Sequence, residues 1–198
     1  MYLFAMQNIN YSDFCLVVIG FYITFASEYI FYIKLVMDSV AIYKIGVFKI
    51  KRGKETSIIR DNNYKKRRYM KMKVLFIGYV VGNAGRQMIE DYLYRIRKDY
   101  QIDFVIANVE NATHGKGLNR KHYDFFTFEG VDCMTMGNHT FDKKELFDFI
   151  DEADRLVVPY NQPRVLPGVS SRVFNVKGTK IRVTNALGCV FMDNRYSN

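Results

Sequence analysis

Short apolar runs alternate with amphipathic segments in the part of the chain that follows Met72. Residues 74–77 form an apolar run that ends at Gly78, a pattern typical of a buried strand. Residues 86–100 carry apolar side chains at helical spacing: Met88, Ile89, Tyr92, Leu93 and Ile96. The pattern then predicts a strand over 103–107, a helix over 119–129 and a strand over 131–136. This βαβαβ order predicts a mostly parallel α/β sheet.

The pattern after residue 136 is less regular. Asp142 and Glu145 have the spacing of a helix N-cap pair, and they precede the apolar residues Leu146, Phe149 and Ile150. We expect a short strand at 156–158 and a loop containing prolines at 160–168. Residues 173–176 and 181–185 then predict a hairpin.

The first 71 residues follow a different pattern. Residues 14–27 are apolar and free of charge, but a membrane helix needs about 20 such residues. Extension to a single span over 14–37 would include Glu28. Residues 44–71 are polar and basic, which would suit a cytoplasmic anchor beside such a span.

We favour a second hypothesis for this segment, in which residues 1–71 are a translated leader and the natural start is Met72. The sequence MKVLFIG has the form of a protein's own first strand. Arg67 and Arg68 can be encoded by purine-rich codons that resemble a ribosome-binding sequence. The predicted domains are therefore an extension outside the fold, 1–71, and an α/β domain, 72–198.

Composition and charge narrow the class of protein. The chain has 198 residues and a formal net charge of +9, with Lys and Arg outnumbering Asp and Glu by 12 to 5 over residues 1–72 and by 17 to 15 afterwards. The α/β part is thus nearly neutral, which gives little support to a nucleic-acid-binding surface. The 3 cysteines form no CxxC pair, which is typical of a reducing compartment and predicts a cytoplasmic protein.

Polar residues that can carry chemistry follow each of the first three predicted strands. The first strand is followed by a glycine-containing segment, 78–85, the second by segments 108–111 and 114–117, and the third by segment 137–140. Because sites in parallel sheets lie beyond the carboxyl ends of the strands, we expect the three clusters to meet at one edge.

The composition of these clusters favours a metal site. Glu110, Asn111 and Asn138 offer carboxylate and amide oxygens, which hard divalent cations prefer, and the imidazole of His139 suits iron, manganese or zinc. A metal–oxygen site with a nearby proton donor is what phosphoester hydrolysis needs. Taken singly, Glu110 is typical of a surface carboxylate, Asn138 of a turn and His139 of a cap or a packed side chain.

Four segments in order make these residues resemble a known family. They are MKVLFIGYVVGNAGR, IDFVIANVENATHGKGL, VDCMTMGNHTFDKKELFDFID and NALGCVFMD. Residues 72–193 resemble the first half of the YmdB family of metallophosphoesterases, bacterial relatives of the calcineurin-like phosphoesterases. The resemblance implies part of an α/β sandwich and a binuclear site for iron or manganese. It also implies hydrolysis of cyclic nucleotides such as 2′,3′-cyclic AMP, with Glu110, Asn111 and Asn138 as metal ligands and His139 as the catalytic residue that protonates the leaving oxygen or stabilises the transition state.

Two departures from the family pattern affect the expected activity. The family has G-D-x-V-G after the first strand, with the Asp as a metal ligand, and this chain has Tyr79 at that position. Beyond the half that this chain resembles, the family continues for about as long again, and that second half supplies the remaining histidine ligands. We therefore expect a truncated copy of the phosphodiesterase with weak or no activity.

Two alternative functions remain open at this point. One alternative is a dinucleotide-binding fold, in which the loop would use Gly78, Gly82 and Gly85 and Glu110 would bind a ribose. The spacing of these glycines is not G-x-G-x-x-G. A remnant anchored by residues 14–37 would act as a binding or regulatory partner without catalysis. Under the favoured hypothesis the partner is a small phosphodiester substrate, with no specific nucleic acid, no membrane and no separate organic cofactor; a homo-oligomer remains open.

Overall fold

Two β-sheets and the helices that cover one of them form the described part of the chain. This computed structural model describes residues 14–19, 30–32, 44–51, 71–163 and 165–187. The larger sheet has six strands and the smaller has three.

The larger sheet is parallel over the four strands that carry the predicted site. Its strands are, in spatial order, β2 (Ile30–Tyr32), β3 (Lys44–Lys51), β4 (Lys71–Gly78), β5 (Phe104–Asn108), β6 (Cys133–Thr135) and β7 (Leu156–Val157). β4 to β7 run parallel, while β2 and β3 form an antiparallel extension beside β4. The carboxyl ends of β4 to β7 therefore lie along one edge.

The smaller sheet is built on a hairpin. β8 (Ser171–Val176) pairs antiparallel with β9 (Thr179–Ala186), and β1 (Phe14–Ile19) pairs parallel with the other side of β9. Lys177 and Gly178 connect β8 to β9 with φ angles of 51° and 79°. Positive φ angles at both connecting residues are typical of a type I′ turn, whose twist matches that of the flanking strands.

Two α-helices and one 3-10 helix follow strands of the larger sheet. They are α1 (Gly82–Asp99), α2 (Arg120–Phe128) and the 3-10 helix Lys144–Asp148. Asn119 caps α2 by accepting a hydrogen bond of 3.0 Å from the backbone N–H of His122, the bond that an N-cap side chain provides.

Alternate residues of the parallel strands face two separate cores. On β4, Leu75 and Ile77 pack with residues of α1 and α2 on one face of the sheet. Val74 and Phe76 pack with residues of β8 and β9 on the other face. Successive residues of a strand face opposite sides of the sheet, so the larger sheet packs against helices on one side and against the smaller sheet on the other. This layered arrangement confirms the predicted α/β sandwich.

Several sequence predictions differ from the structure. The capping pair of Asp142 and Glu145 is wrong, since Lys143 precedes the 3-10 helix without a side-chain cap bond. α1 begins at Gly82, four residues before the predicted start at 86, and Gly82 itself has a left-handed φ angle of 53°.

Strands also lie within the first 71 residues. β1 and β2 fall inside 14–37, where a single membrane helix was one alternative, so the structure does not form one continuous helix there. Among the residues that the structure describes, no helix is long and apolar enough to cross a membrane. The domain boundary at Met72 stays a prediction.

Candidate functional site

Backbone hydrogen bonds join the loops that follow β4, β5 and β6. The N–H of Val80 donates to the carbonyl of Asn108 at 3.2 Å, and the N–H of Gly82 donates to the carbonyl of Asn111 at 2.9 Å. Val109 in turn donates to the carbonyl of Thr135 at 3.0 Å. The three clusters predicted from the sequence are thus held together at one edge of the sheet.

Glu110 is the buried acidic residue of this edge. The residue is 5% exposed, and its carboxylate lies directly against the backbone of Gly137. A Cβ atom on Gly137 would lie 1.8 Å from Oε2 of Glu110, far inside the van der Waals contact distance. Only glycine at position 137 leaves room for this carboxylate.

The surroundings of Glu110 only partly compensate its charge. Burial raises the pKa of the Glu110 carboxyl, and the His139 backbone N–H, the His139 charge, the Asn138 N–H and the Asn108 side chain oppose that rise. Within the described residues, Oε2 of Glu110 has no hydrogen-bond partner. A buried carboxylate oxygen without a partner is costly, and a bound cation is the simplest compensation.

Asn108 is a second polar residue at this edge, which the sequence analysis did not single out. Its Nδ2 donates to the carbonyl of Thr135 at 3.4 Å, and its side chain also bonds to Glu110. Its Oδ1 is buried without a partner in the described part of the chain. Asn108 is therefore a neighbour that positions Glu110 and leaves one amide oxygen for a ligand.

Asn111 and Asn138 follow β5 and β6. Asn111 is 5% exposed, and it forms a parallel bridge with Val81. Asn138 is half-buried and its Nδ2 lies 3.3 Å from Nε2 of His139. The structure thus places both predicted ligands at the edge that carries Glu110.

His139 forms a pair with Asp142. Nδ1 of His139 lies 2.7 Å from Oδ2 of Asp142, and both side chains are partly exposed. The carboxylate holds the ring orientation and favours the tautomer with a proton on Nδ1, so Nε2 is the nitrogen that lies beside Asn138. Asp142 therefore orients the imidazole, a role that the sequence analysis missed because the same spacing is typical of a helix cap.

Tyr79 follows β4, at the position where the resemblance leads us to expect an Asp. The residue is half-buried and has a φ angle of 64°. This left-handed region is unfavourable for a bulky side chain, whereas Asp and Asn adopt it more readily. The backbone at this position therefore suits the expected Asp better than it suits Tyr79.

The donor set fits a hard divalent cation in part. Glu110 contributes a buried carboxylate oxygen that has no partner among the described residues, and Asn111 and Asn138 carry amide groups at the same edge. Within the described residues there is no group of three or more His, Cys, Asp or Glu side chains that could hold a metal ion. The residues fit one oxygen-rich site and do not provide the several anionic ligands of a binuclear centre.

The other two histidines lie outside this cluster. Nδ1 of His122 lies 2.8 Å from the hydroxyl of buried Thr113. Burial, followed by the charges of Arg86, Lys121 and His114, lowers the pKa of His122 to about 4. His114 is exposed and its ring centroid lies 6.4 Å from that of His122. His122 is thus a neutral packing residue at neutral pH.

A cavity of about 580 Å³ opens between the amino ends of β6 and β7 and strand β8, away from the predicted site. Its charged residues already have partners. Asp132 pairs with Arg97 at 3.1 Å, and Arg155 donates to the carbonyl of Val131 at 2.9 Å. Arg172 donates to the carbonyl of Leu156 at 2.9 Å. These bonds give the residues a structural role.

The glycine loop after β4 does not support the dinucleotide-binding alternative. In a dinucleotide fold, N–H groups at the start of the helix bind the pyrophosphate. Here the N–H of Gly82 donates to Asn111 and the N–H of Gly85 donates to Val81, each at 2.9 Å. These two N–H groups are therefore not available to a phosphate.

The sequence profile described as "YmdB-like protein" matches residues 75–198. The chain belongs to this family. A relative from Bacillus subtilis named 2′,3′-cyclic-nucleotide 2′-phosphodiesterase is 46% identical to this YmdB-like chain over 121 residues. The match covers 61% of this chain and 46% of the relative.

Two crystal structures share the fold of this YmdB-like chain. One, of a hypothetical protein from Thermus thermophilus, has a TM-score of 0.58 at 38% identity and covers 62% of this chain and 47% of the other. The second, of a novel phosphatase from Mycoplasma pneumoniae, has a TM-score of 0.55 at 45% identity and covers 60% and 43%. The chain thus spans somewhat less than half the length of the relatives that it matches.

Proposed function

We propose that this YmdB-like chain is part of a metal-dependent phosphodiesterase that hydrolyses 2′,3′-cyclic nucleotides. The observation that carries the proposal is the buried carboxylate of Glu110, which lies against Gly137 without a partner for Oε2 among the described residues and shares its edge with Asn138 and His139. The name of the Bacillus subtilis relative supports this substrate class.

The chemistry divides between binding and proton transfer. Oxygens of Glu110, Asn111 and Asn138 would hold a divalent cation such as manganese or iron. When bound, that cation would neutralise charge on the phosphate oxygens and lower the pKa of water. The remaining step for the chain's own residues is protonation of the ribose oxygen that leaves phosphorus.

His139 is the group proposed for this proton transfer. Asp142 holds Nδ1 at 2.7 Å, so Nε2 of the protonated ring donates to the leaving oxygen and the ring becomes neutral. For hydrolysis of the P–O2′ bond, the oxygen of a water molecule becomes bonded to phosphorus, O2′ takes the proton from His139, and the product is a nucleoside 3′-monophosphate. Asp142 acts through His139 and is a positioning residue.

We propose that residues 1–198 by themselves have weak activity. Tyr79 has a phenol where the resemblance leads us to expect the anionic carboxylate of Asp. The described residues also lack a cluster of three or more acidic, histidine or cysteine ligands. Full activity would require Asp at position 79 and the ligands that the rest of a longer relative supplies.

The experiment that tests the proposed function combines these two requirements. The remaining part of the Bacillus subtilis relative is fused after Asp193, Tyr79→Asp is introduced, and hydrolysis of 2′,3′-cyclic AMP is followed with manganese by ³¹P NMR. We expect adenosine 3′-monophosphate as the product. Metal binding without hydrolysis of this substrate would contradict the proposal.

A histidine variant in the same fusion tests the assigned proton donor. His139→Ala should lower turnover by about 10²- to 10⁴-fold, the range for a general acid, and leave metal affinity largely unchanged. His114→Ala is the matched control, since His114 is exposed and lies outside the cluster. Loss of metal in His139→Ala, with the rate restored by excess metal, would show that His139 is a ligand instead.

A further inference from the structure

A second cavity, of about 280 Å³, lies beside the candidate site. Asn138 is part of its wall, so the cavity is continuous with the proposed metal-binding edge. Phe141, Pro163 and Leu166 form apolar parts of the wall, and Gln162 contributes an amide. The volume lies just below the range of about 300–1,000 Å³ for sites of drug-sized ligands, which suits one ring system.

Phe141 provides a fixed aromatic surface in this cavity. The residue is half-buried and packs against the core between the sheet and the helices. The centroid of the Phe147 ring lies 5.0 Å from that of Phe141 at an interplanar angle of 31°. The preceding residue, Thr140, is also fixed, because its hydroxyl donates to the carbonyl of Gly137 at 2.5 Å. Aromatic side chains held in this way are surfaces on which nucleobases stack.

Gln162 contributes a directional polar group to the same cavity. Its Nε2 donates to the carbonyl of Pro167 at 3.3 Å. This bond uses one N–H of the amide, so the second N–H and the neighbouring carbonyl oxygen Oε1 remain for a ligand, as one donor beside one acceptor. Adenine presents its amino donor beside the acceptor N7 and matches this donor–acceptor pair, whereas a 6-oxo purine presents two acceptors on the same edge and leaves Oε1 without a donor.

We propose that this cavity is the nucleobase site, in which the base stacks on Phe141 and donates its amino group to Gln162. The proposal rests on the proposed function, because the phosphate of the same nucleotide would lie at the edge with Asn138. It adds the prediction that adenine is preferred to hypoxanthine, which has the same shape and carries an oxygen in place of the amino group.

Equilibrium binding to the full chain tests the site without any need for turnover. Calorimetric titrations with manganese present would compare adenosine 3′-monophosphate, inosine 3′-monophosphate and ribose 5-phosphate. We expect adenosine 3′-monophosphate to bind about 5- to 150-fold more tightly than ribose 5-phosphate, from the stacking contribution. We expect it to bind about 2- to 12-fold more tightly than the inosine nucleotide, from one hydrogen bond.

Variants assign these differences to the two side chains. Phe141→Ala should remove most of the gain over ribose 5-phosphate and leave manganese affinity unchanged, and Phe141→Leu should retain part of it. Gln162→Leu should abolish the preference for adenosine over inosine, whereas Gln162→Glu, which keeps an acceptor, should retain it. Phe128→Ala is the matched control, because Phe128 is 87% exposed at the end of α2.

The outcomes separate this proposal from the proposed function. Equal binding of adenosine 3′-monophosphate and ribose 5-phosphate, or nucleotide affinity unaffected by Phe141→Ala, would overturn the nucleobase site even if manganese binds through Glu110. Failure of manganese to bind even to the fusion that carries Tyr79→Asp would refute the proposed function instead. In that case, titration with adenosine in the absence of metal decides the nucleobase site: binding that falls in Phe141→Ala supports it, and no binding overturns it.

Discussion

Substitution of Gly137 by Ala tests the contact between Glu110 and the loop after β6. The three atoms nearest to a Cβ at position 137 all belong to the Glu110 carboxylate, at 1.8, 2.3 and 2.6 Å. The carboxylate would have to move by about 1 Å or more to reach a tolerable contact distance. The φ angle of Gly137 lies outside the left-handed region, so the effect is steric and not a backbone strain.

The expected magnitude follows from the cost of overpacking. We expect Gly137→Ala to lower the free energy of unfolding by about 1–3 kcal/mol. In a Glu110→Ala background the clashing atoms are absent, so the same substitution should cost less than about 0.5 kcal/mol, as for sites without such contacts. The interaction energy of the double-mutant cycle should therefore be about 0.5–3 kcal/mol, the range for residues in direct contact.

Urea unfolding of the full chain, with the four variants compared at constant m-value, measures this cycle. Gly115→Ala is the control, since a Cβ at Gly115 meets nothing within 4 Å and its φ of 85° causes strain alone. Its cost should be independent of Glu110. An equal cost of Gly137→Ala in both backgrounds would show that the Glu110 carboxylate does not lie against Gly137, and the geometry of the site would be wrong.

Three further predictions follow from other parts of the chain. Tyr79→Asp should tighten manganese binding by about 10-fold or more, because affinity rises with the number of charged ligands; equal affinity by calorimetry would place residue 79 outside the site. The pKa of His122 is lowered to about 4 in the folded chain, so the unfolded chain takes up a proton first as the pH falls from about 6.5. Stability should decrease over that window by up to about 1.4 kcal/mol per pH unit, and urea unfolding should show that His122→Gln reduces this slope. Deletion of residues 1–71 should leave the unfolding free energy of the remainder unchanged or higher if the boundary at Met72 is correct. A clear loss of stability would instead show that strand β3, which pairs with β4 along its full length, belongs to the fold.

The site was predictable from the sequence where it depends on strand order alone. Parallel strands bring their carboxyl ends to one edge, and this rule alone places Glu110, Asn111, Asn138 and His139 together. The predicted capping role of Asp142 failed because three-residue spacing suits both a cap and a turn. The tight turn after β6 decides the matter by bringing Asp142 to 2.7 Å from His139.

Other parts of the site depend on tertiary contacts that local patterns do not contain. Asn108 is the last residue of β5 and lies beside Glu110. Its role follows from the buried Oδ1 atom, which has no partner among the described residues, and this property is not visible in the local sequence. The cavity beside Asn138 joins Phe141 to Gln162, which are separated by two structural elements, the 3-10 helix and β7. The pairing of β3 with β4 was also not predicted, because the composition of residues 44–71 resembles a basic linker.

Manganese binding to the full chain and to Glu110→Gln tests most directly whether this edge of the sheet is a metal site. Gln keeps the shape of Glu and removes its charge, and Glu90→Gln on the exposed face of α1 is the matched control. Loss of a residue that is hydrogen-bonded to a metal ligand typically lowers metal affinity by about 10- to 100-fold. Loss of the anionic ligand itself should therefore lower it by about 100-fold or more. Calorimetric titration should show this loss in Glu110→Gln and unchanged affinity in Glu90→Gln. Equal manganese affinity in the wild-type chain and Glu110→Gln would contradict the account.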